Sequence, residues 1–272
     1  MAHIKTSIPS NDRSLVKNSE ANTNDISTEQ AAFTSLPTNI QTALTQNNRL
    51  VFIANNPSIG TDQLEALLQP DDVLVLFNHF IHAEFFANHP LVSTLPKLLF
   101  FRQIGDSKLH FGLPPRSNNV SVMKRMAKSA PLGILLSNQA YQFPLPEDDP
   151  SPHDDPITDE RILTLPPSVQ ALLQNPQHHG VLSEQHPVVA DYPCFADVHS
   201  SAPSSGFLLY RLLLAARAHL QRIQNTALPL RLLMLGFNDN DKTAHFWQGH
   251  NWEFERQEMS APPPEVEVIR QY

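Results

Sequence analysis

Three consecutive stretches restrict this chain more than any global property does. RLVFIANNPSIG (49–60) is a short apolar run, Leu50 to Ala54, that breaks into a polar turn. TDQLEALLQ (61–69) carries a helix start at Thr61 or Asp62, and DDVLVLFNHF (71–80) is a second apolar run. Short continuous apolar runs bounded by turn residues read as buried strands. A strand, a helix and a strand within about thirty residues make a βαβ unit, whose two strands are parallel and whose helix packs back on the sheet. KLLFFRQ (97–103), LGILLSN (132–138) and LRLLMLGFND (230–239) add further strands, and helices are expected at 119–128, 167–174 and 205–224. The fold class expected is therefore α/β: a Rossmann-like, mostly parallel sheet with helices on both faces, in one domain over residues 46–260.

A chain of 272 residues with 41% hydrophobic residues can bury the core such a domain needs. The stretch to about residue 30 is polar, aromatic-poor and without periodicity, so residues 1–45 are expected to be a disordered or loosely attached arm. FPLPEDDPSPHDDP (143–156), with five prolines and five acidic residues, reads as an exposed lid within a divergent region at 104–200. The Pro-rich tail at 261–272 is expected to be extended. The arm lacks the apolar segment of a signal peptide and no run reaches the ~20 apolar residues that span a bilayer. The single cysteine, Cys194, cannot form an internal disulfide, and a cytoplasmic protein is expected. A formal charge of -8 argues against nucleic acid as the partner.

The polar residues follow the strands in a pattern. The first strand ends in Asn55, Asn56 and Ser58, and the second in Asn78 and His79. Arg102 follows the third, Asn138 the next, and Gly236, Asn238 and Asp239 the last. In open parallel sheets the ligand crevice lies outside the carboxyl ends of the strands, so these residues converge on one edge. APSSGFLLYRLLLAARAHL (202–220) adds to it: the helix from Phe207 to Leu220 is apolar nearly all round and must be packed on most sides. Ser204 or Ser205 caps it, and its first N–H groups have no intrahelical partner.

The ligand is narrowed by what is missing. Neither GxGxxG nor GxxxxGK occurs, which disfavours NAD and ATP, and HExxH, paired CxxC and GxSxG are also absent. Thirteen histidines are scattered without a convincing ligand spacing, so no metal site is assigned. One D-x-D, Asp239 and Asp241, could hold a divalent ion against a nucleotide diphosphate, or form a turn bonded to local backbone.

Taken together, NNPS (55–58), FNHF (77–80), SSGFLLYRLLLAA (204–216), LLMLGFND (232–239) and HFWQGHNWEFE (245–255) resemble the bacterial sialyltransferases of glycosyltransferase family 42 in order and spacing. That family has an Asn-Gly-Pro-Ser turn, an Asn-x-Phe strand end, a Thr-Ser-Gly helix start, a strand ending Ser-Gly-Ile-Asp and a His-x-x-Gly-His stretch. The resemblance implies a nucleotide-binding domain with a lid that uses a CMP-activated sugar acid, with no metal and no further cofactor. By position, Asn55, Asn56, Ser58 and Asn78 would hold the ribose and phosphate of CMP. Ser205 and Gly206, beside Ser204, would meet the cytosine through backbone groups, with Gly236 and Asn238 at the facing strand end. The chain departs from the family at Asn56, where the family has glycine. It also reads GFNDN where the family places a tyrosine after the strand-end Asp, and Ser201-Ala202 where the family has an arginine.

His250 matches the family's catalytic histidine. A neutral imidazole with a pKa near about 6.5 can take a proton from an acceptor hydroxyl at neutral pH. The CMP phosphate leaves readily and needs mainly electrostatic stabilisation, for which His245, Arg102 and Asn238 are candidates. The expected reaction is an inverting transfer of sialic acid, Kdo or a related ulosonic acid to a glycan or glycolipid such as lipooligosaccharide, with peripheral association at the cytoplasmic membrane face. The alternatives are a metal-dependent UDP- or GDP-sugar transferase using Asp239 and Asp241, and a non-catalytic nucleotide-binding protein on the same fold.

Overall fold

The computed structural model describes residues 26–46, 49–78, 80–101, 117–137, 177, 179–182, 186–193, 203–224, 231–238 and 250–271. They form a Rossmann-like α/β fold built on a seven-stranded parallel sheet. The strands are β1 (Arg49–Ile53), β2 (Asp72–Phe77), β3 (Lys97–Phe101), β4 (Leu132–Ser137), β5 (His179–Leu182), β6 (Arg231–Leu235) and β7 (Val266–Ile269). Helix α1 covers residues 26–34. It is followed by α2 (Thr38–Gln46), α3 (Thr61–Leu67), α4 (Ala83–Asn88), α5 (Ser117–Ser129), α6 (Ser205–Gln224) and α7 (Trp252–Ser260).

Every residue of β1, β2 and β3 is buried, as expected of strands covered on both faces. The period-two pleat sorts their side chains. Leu50, Phe52, Val73 and Val75 pack on one face with α1, α2 and α6, whereas Val51, Ile53, Leu74 and Leu76 pack on the other with α3, α4 and α5. The strand order is β5-β4-β3-β2-β1-β6-β7, so the direction of winding reverses between β1 and β6. That reversal fixes the position of the ligand crevice in a fold of this kind, outside the carboxyl ends of β1 and β6.

Two expectations about the domain limits are corrected. The supposed arm at 1–45 is part of the domain from residue 26 onward: Ala32, Leu36, Ile40, Ala43 and Leu44 are buried at helical spacing. They escape a composition argument because few apolar residues are needed where the backbones come close. A Cβ on Gly133 would lie 2.3 Å from Ile40 Cγ1, and one on Gly180 2.5 Å from the Ser35 carbonyl oxygen. The tail expected at 261–272 is not a loose appendage: its Val266–Ile269 segment is an edge strand of the sheet, paired in parallel with Leu232–Leu235. The helix expected at 167–174 and the lid at 143–156 lie outside the described residues.

Charge is also buried at the amino ends of the strands, far along the sheet from the crevice. Asp72 meets Arg49 at 2.8 Å and accepts from the Gln69 N–H at 2.7 Å, yet burial raises its pKa to about 6. Lys97, fully buried, donates to the Val92, Ser93 and Leu95 carbonyls at 2.7, 3.2 and 2.7 Å, and burial brings its pKa down to about 7. Both groups brace the turns entering the sheet.

Candidate functional site at the carboxyl edge

Asn55, Asn56 and Asn238 lie at the carboxyl edge, and each ties two connections to one another, whereas His79 and Asn138 lie outside the described residues. Asn55 Nδ2 donates to the Phe77 carbonyl at 2.7 Å, and its Oδ1 accepts from the Ile81 N–H at 3.1 Å. Asn55 thereby clamps the turn containing Asn78, whose φ of 49° and neighbouring Phe80 φ of 25° make a tight reversal; asparagine visits that region more readily than most residues. Asn56 accepts from the Ser58 N–H at 2.9 Å and donates to the carbonyls of Gly236 at 3.3 Å and Gln271 at 2.9 Å. Asn238 exchanges both backbone hydrogen bonds with Gln271, donating to its carbonyl and accepting from its N–H at 2.9 Å. Gly236 adopts φ 78°, and a Cβ there would lie 2.5 Å from Ile59 Cδ1.

The start of α6 carries its own polar centre. Ser204 caps the helix, its Oγ accepting from the Phe207 N–H at 3.2 Å. The expectation that this helix mouth is open is corrected in part, because the carboxylate of Glu255 in α7 occupies the cap itself. Glu255 accepts from the Ser204 N–H at 2.7 Å, the Ser204 hydroxyl at 2.6 Å and the Tyr192 hydroxyl at 2.9 Å. A negative group at the positive end of a helix is favourable, which accounts for a carboxylate only 5% exposed. Gly206 is required by a neighbour: a Cβ would lie 2.4 Å from the ring of Phe237, the residue after Gly236.

A second ionic contact docks α7 on α6. Arg211 donates from Nε to Glu258 at 3.0 Å and from Nη1 to the Val188 carbonyl at 3.1 Å, and pairs with Asp191. Its guanidinium stacks 4.9 Å from the Phe207 ring centroid and 5.4 Å from that of Phe254. Burial opposes the Arg211 charge, but Glu258 and Asp191 outweigh it and hold its pKa above the usual arginine value. The hydrogen bond from Arg211 in turn keeps Asp191 below the usual carboxylate range.

Between α6, α7 and the ends of β6 and β7 lies a cleft of about 110 Å3, floored by Phe207, Met234, Phe237 and Met259. Ser204 and Asn238, both expected from sequence, line it with Trp252, Glu255, Arg256 and Arg270, which were not singled out. His250 stands beside the cleft: it is half-buried, and its ring meets that of Trp252 edge-on at 5.0 Å. The segment around it leads from a bend at His250 into the start of α7. Asn251 caps α7 by accepting from the Phe254 N–H at 3.1 Å, and the Asn251 N–H donates to the Tyr192 hydroxyl at 2.6 Å. Arg102, His245, Asp239 and Asp241 lie outside the described residues. The Trp252, Glu255, Arg256, Met259 spacing marks a helical face in the sequence, but nothing local pairs Glu255 with Ser204 or Tyr192.

The fold and this edge define a Rossmann-like α/β protein with a cleft at the carboxyl ends of β6 and β7, one strand over from its β1–β6 switch point. No protein-family model, curated protein or solved structure matches the chain. Among the described residues no helix is long and apolar enough to cross a membrane.

Proposed function

We propose that this chain is a metal-independent, inverting glycosyltransferase that moves a sialic acid, Kdo or related ulosonic acid from its CMP donor to a cell-surface glycan such as lipooligosaccharide. The observation that carries the reading is convergence. Asn55, Asn56, Ser58, Asn78, Gly236 and Asn238 follow the carboxyl ends of β1, β2 and β6, Gly206 meets the same edge where Phe237 crosses it, and Ser204 and Asn238 share the cleft with Trp252, the neighbour of His250. The reaction asks little of such an edge beyond a base and stabilising charge. An acceptor hydroxyl oxygen bonds to the anomeric carbon from the face opposite CMP, and His250 takes its proton. The bond from that carbon to the phosphate oxygen breaks, and the electron pair leaves on CMP. Trp252, between His250 and the cleft, would keep the base against the bound donor. Arg102, His245 and Asn238 are the candidates for stabilising the departing phosphate.

The test is turnover of CMP-sialic acid and CMP-Kdo with and without EDTA, alongside His250→Ala. EDTA should leave transfer unchanged, and His250→Ala should reduce it by about 10²- to 10⁴-fold while CMP affinity stays within a few-fold. Transfer that requires manganese and a UDP or GDP sugar would replace this reading with the metal-dependent one and promote Asp239 and Asp241. CMP binding without transfer from any CMP sugar would favour a non-catalytic nucleotide-binding protein.

A further inference from the structure

His250 lies in a bend two residues before α7, outside any regular element that would fix its backbone. What fixes it is the peptide plane that joins it to Asn251, and that plane is held on both sides. Its carbonyl, on His250, accepts from the Trp252 N–H at 3.0 Å, and its N–H, on Asn251, donates to the Tyr192 hydroxyl at 2.6 Å. Because the peptide unit is rigid, holding both polar ends fixes the backbone torsions on either side of it. The imidazole is then left with its side-chain rotamers, and the one present sets the ring edge-on to Trp252 at 5.0 Å.

Tyr192 comes from a part of the chain 59 positions away and is itself anchored on α6. Its N–H donates to the Val189 carbonyl at 3.0 Å, and Arg211 of α6 holds the same segment, donating to the Val188 carbonyl at 3.1 Å and to Asp191 Oδ2 at 3.2 Å. The Tyr192 ring is buried, with its centroid 5.4 Å from that of Phe254 and 6.0 Å from that of Phe207. Those contacts need only a ring; the hydroxyl has a separate task. An ionised carboxylate can only accept, so Tyr192 gives its single proton to Glu255 at 2.9 Å, which leaves the oxygen lone pairs for the Asn251 N–H. Glu255 in turn accepts from the Ser204 N–H and hydroxyl. A continuous polar path therefore runs from the mouth of α6 through Glu255 and Tyr192 to the backbone of His250.

We propose that Tyr192 is a positioning residue for the base: its hydroxyl, oriented by Glu255, holds the His250–Asn251 peptide so that the His250 imidazole meets the acceptor hydroxyl. The catalytic consequence rests on the transferase reading, whereas the hold on His250 is a property of the free protein. Tyr192 is not among the residues that line the cleft, so losing its hydroxyl acts on proton transfer and leaves donor binding alone.

Tyr192→Phe keeps the ring and removes only the hydroxyl. In turnover of CMP-sialic acid or CMP-Kdo by the full chain, kcat should fall about ten- to hundredfold while KM for the CMP sugar stays within about twofold, the pattern of a misplaced base. In a His250→Ala background the same substitution should change kcat by less than about twofold, because no imidazole is left to position. A general loss of packing would lower kcat equally in both backgrounds; that result, or an unchanged kcat in Tyr192→Phe alone, would overturn the proposal. Two nuclear magnetic resonance readouts need no turnover. The ring resonances of His250, identified by their loss in His250→Ala, should move in Tyr192→Phe, and unmoved resonances would overturn the proposal. The Asn251 amide of the wild type should exchange with solvent at least about tenfold more slowly than an exposed amide. Exchange at the exposed rate would overturn the proposal even if Tyr192→Phe fails to fold. Both resonance results as expected but no transfer by the wild type from either CMP sugar would sink the transferase reading and leave the hold on His250 standing; transfer that Tyr192→Phe leaves unchanged would do the reverse.

Discussion

Glu255 is the side chain whose removal tests most directly how the edge is assembled. Glu255→Gln keeps the shape and two of the acceptor contacts but removes the charge. Hydrogen bonds to a charged group contribute about 1.5–3 kcal/mol each against about 0.5–1.5 kcal/mol for neutral ones, and three such bonds converge on this carboxylate. The favourable interaction with the start of α6 adds about 0.3–2 kcal/mol. Against these stands the desolvation of a buried carboxylate, a cost of several kcal/mol that the amide escapes in large part. The balance puts Glu255→Gln at roughly 1–3 kcal/mol destabilising. Glu255→Ala should cost more, because it leaves the Ser204 N–H and Tyr192 hydroxyl without their acceptor at about 1–3 kcal/mol apiece. Urea unfolding at unchanged m-value reads both. A double-mutant cycle with Ser204→Ala separates the contact from general loss of packing, with a coupling expected at or above about 1 kcal/mol. Glu255→Gln as stable as the wild type, or additive losses in the cycle, would refute the idea that this carboxylate locks α7 to the mouth of α6.

Lys97 gives a pH signature: its pKa is about 7 folded and 10.5 unfolded, so between those values the unfolded chain binds more protons and stability must rise with pH. The unfolding free energy of the wild type minus that of Lys97→Met should climb by up to about 1.4 kcal/mol per pH unit from pH 7 to 9 and flatten below pH 7, and a flat difference across that window would show the lysine is not buried as described. Gly236→Ala should destabilise by about 1 kcal/mol or more, since it combines a φ of 78° with a Cβ 2.5 Å from Ile59, and thermal melts will report it. Gly206→Ala should displace the Phe237 ring at an overpacking cost of about 1–3 kcal/mol, partly offset by better helix propensity, and it should alter the cleft; unchanged near-ultraviolet dichroism and stability would contradict that packing. Deleting residues 1–45 should abolish cooperative unfolding, because it removes Ala32, Leu36, Ile40, Ala43 and Leu44 from the core.

The short apolar runs within 49–53, 72–77, 97–101, 132–137 and 231–235 were legible because a strand covered on both faces is apolar at nearly every position inside its ends, and that is a local property. The apolar α6 and the serine cap at Ser204 were legible for the same reason. β7 was hidden because an edge strand needs few apolar residues, and VEVI inside a Pro- and Glu-rich tail buries only Val266 among its four. α1 and α2 were hidden because their docking depends on Gly133 and Gly180, on strands distant in sequence, allowing close approach. At the candidate site the sequence nominated the asparagines and the Ser-Ser-Gly by type and position at strand and helix ends. What those side chains touch was decided elsewhere: by Gln271 crossing to Asn56 and Asn238, by Glu255 reaching Ser204, and by Phe237 lying on Gly206. Hydrogen bonds between residues 33 to 215 positions apart leave no mark on local pattern, so the carboxyl edge was written in the sequence and its wiring was settled only when the sheet brought its strand ends together.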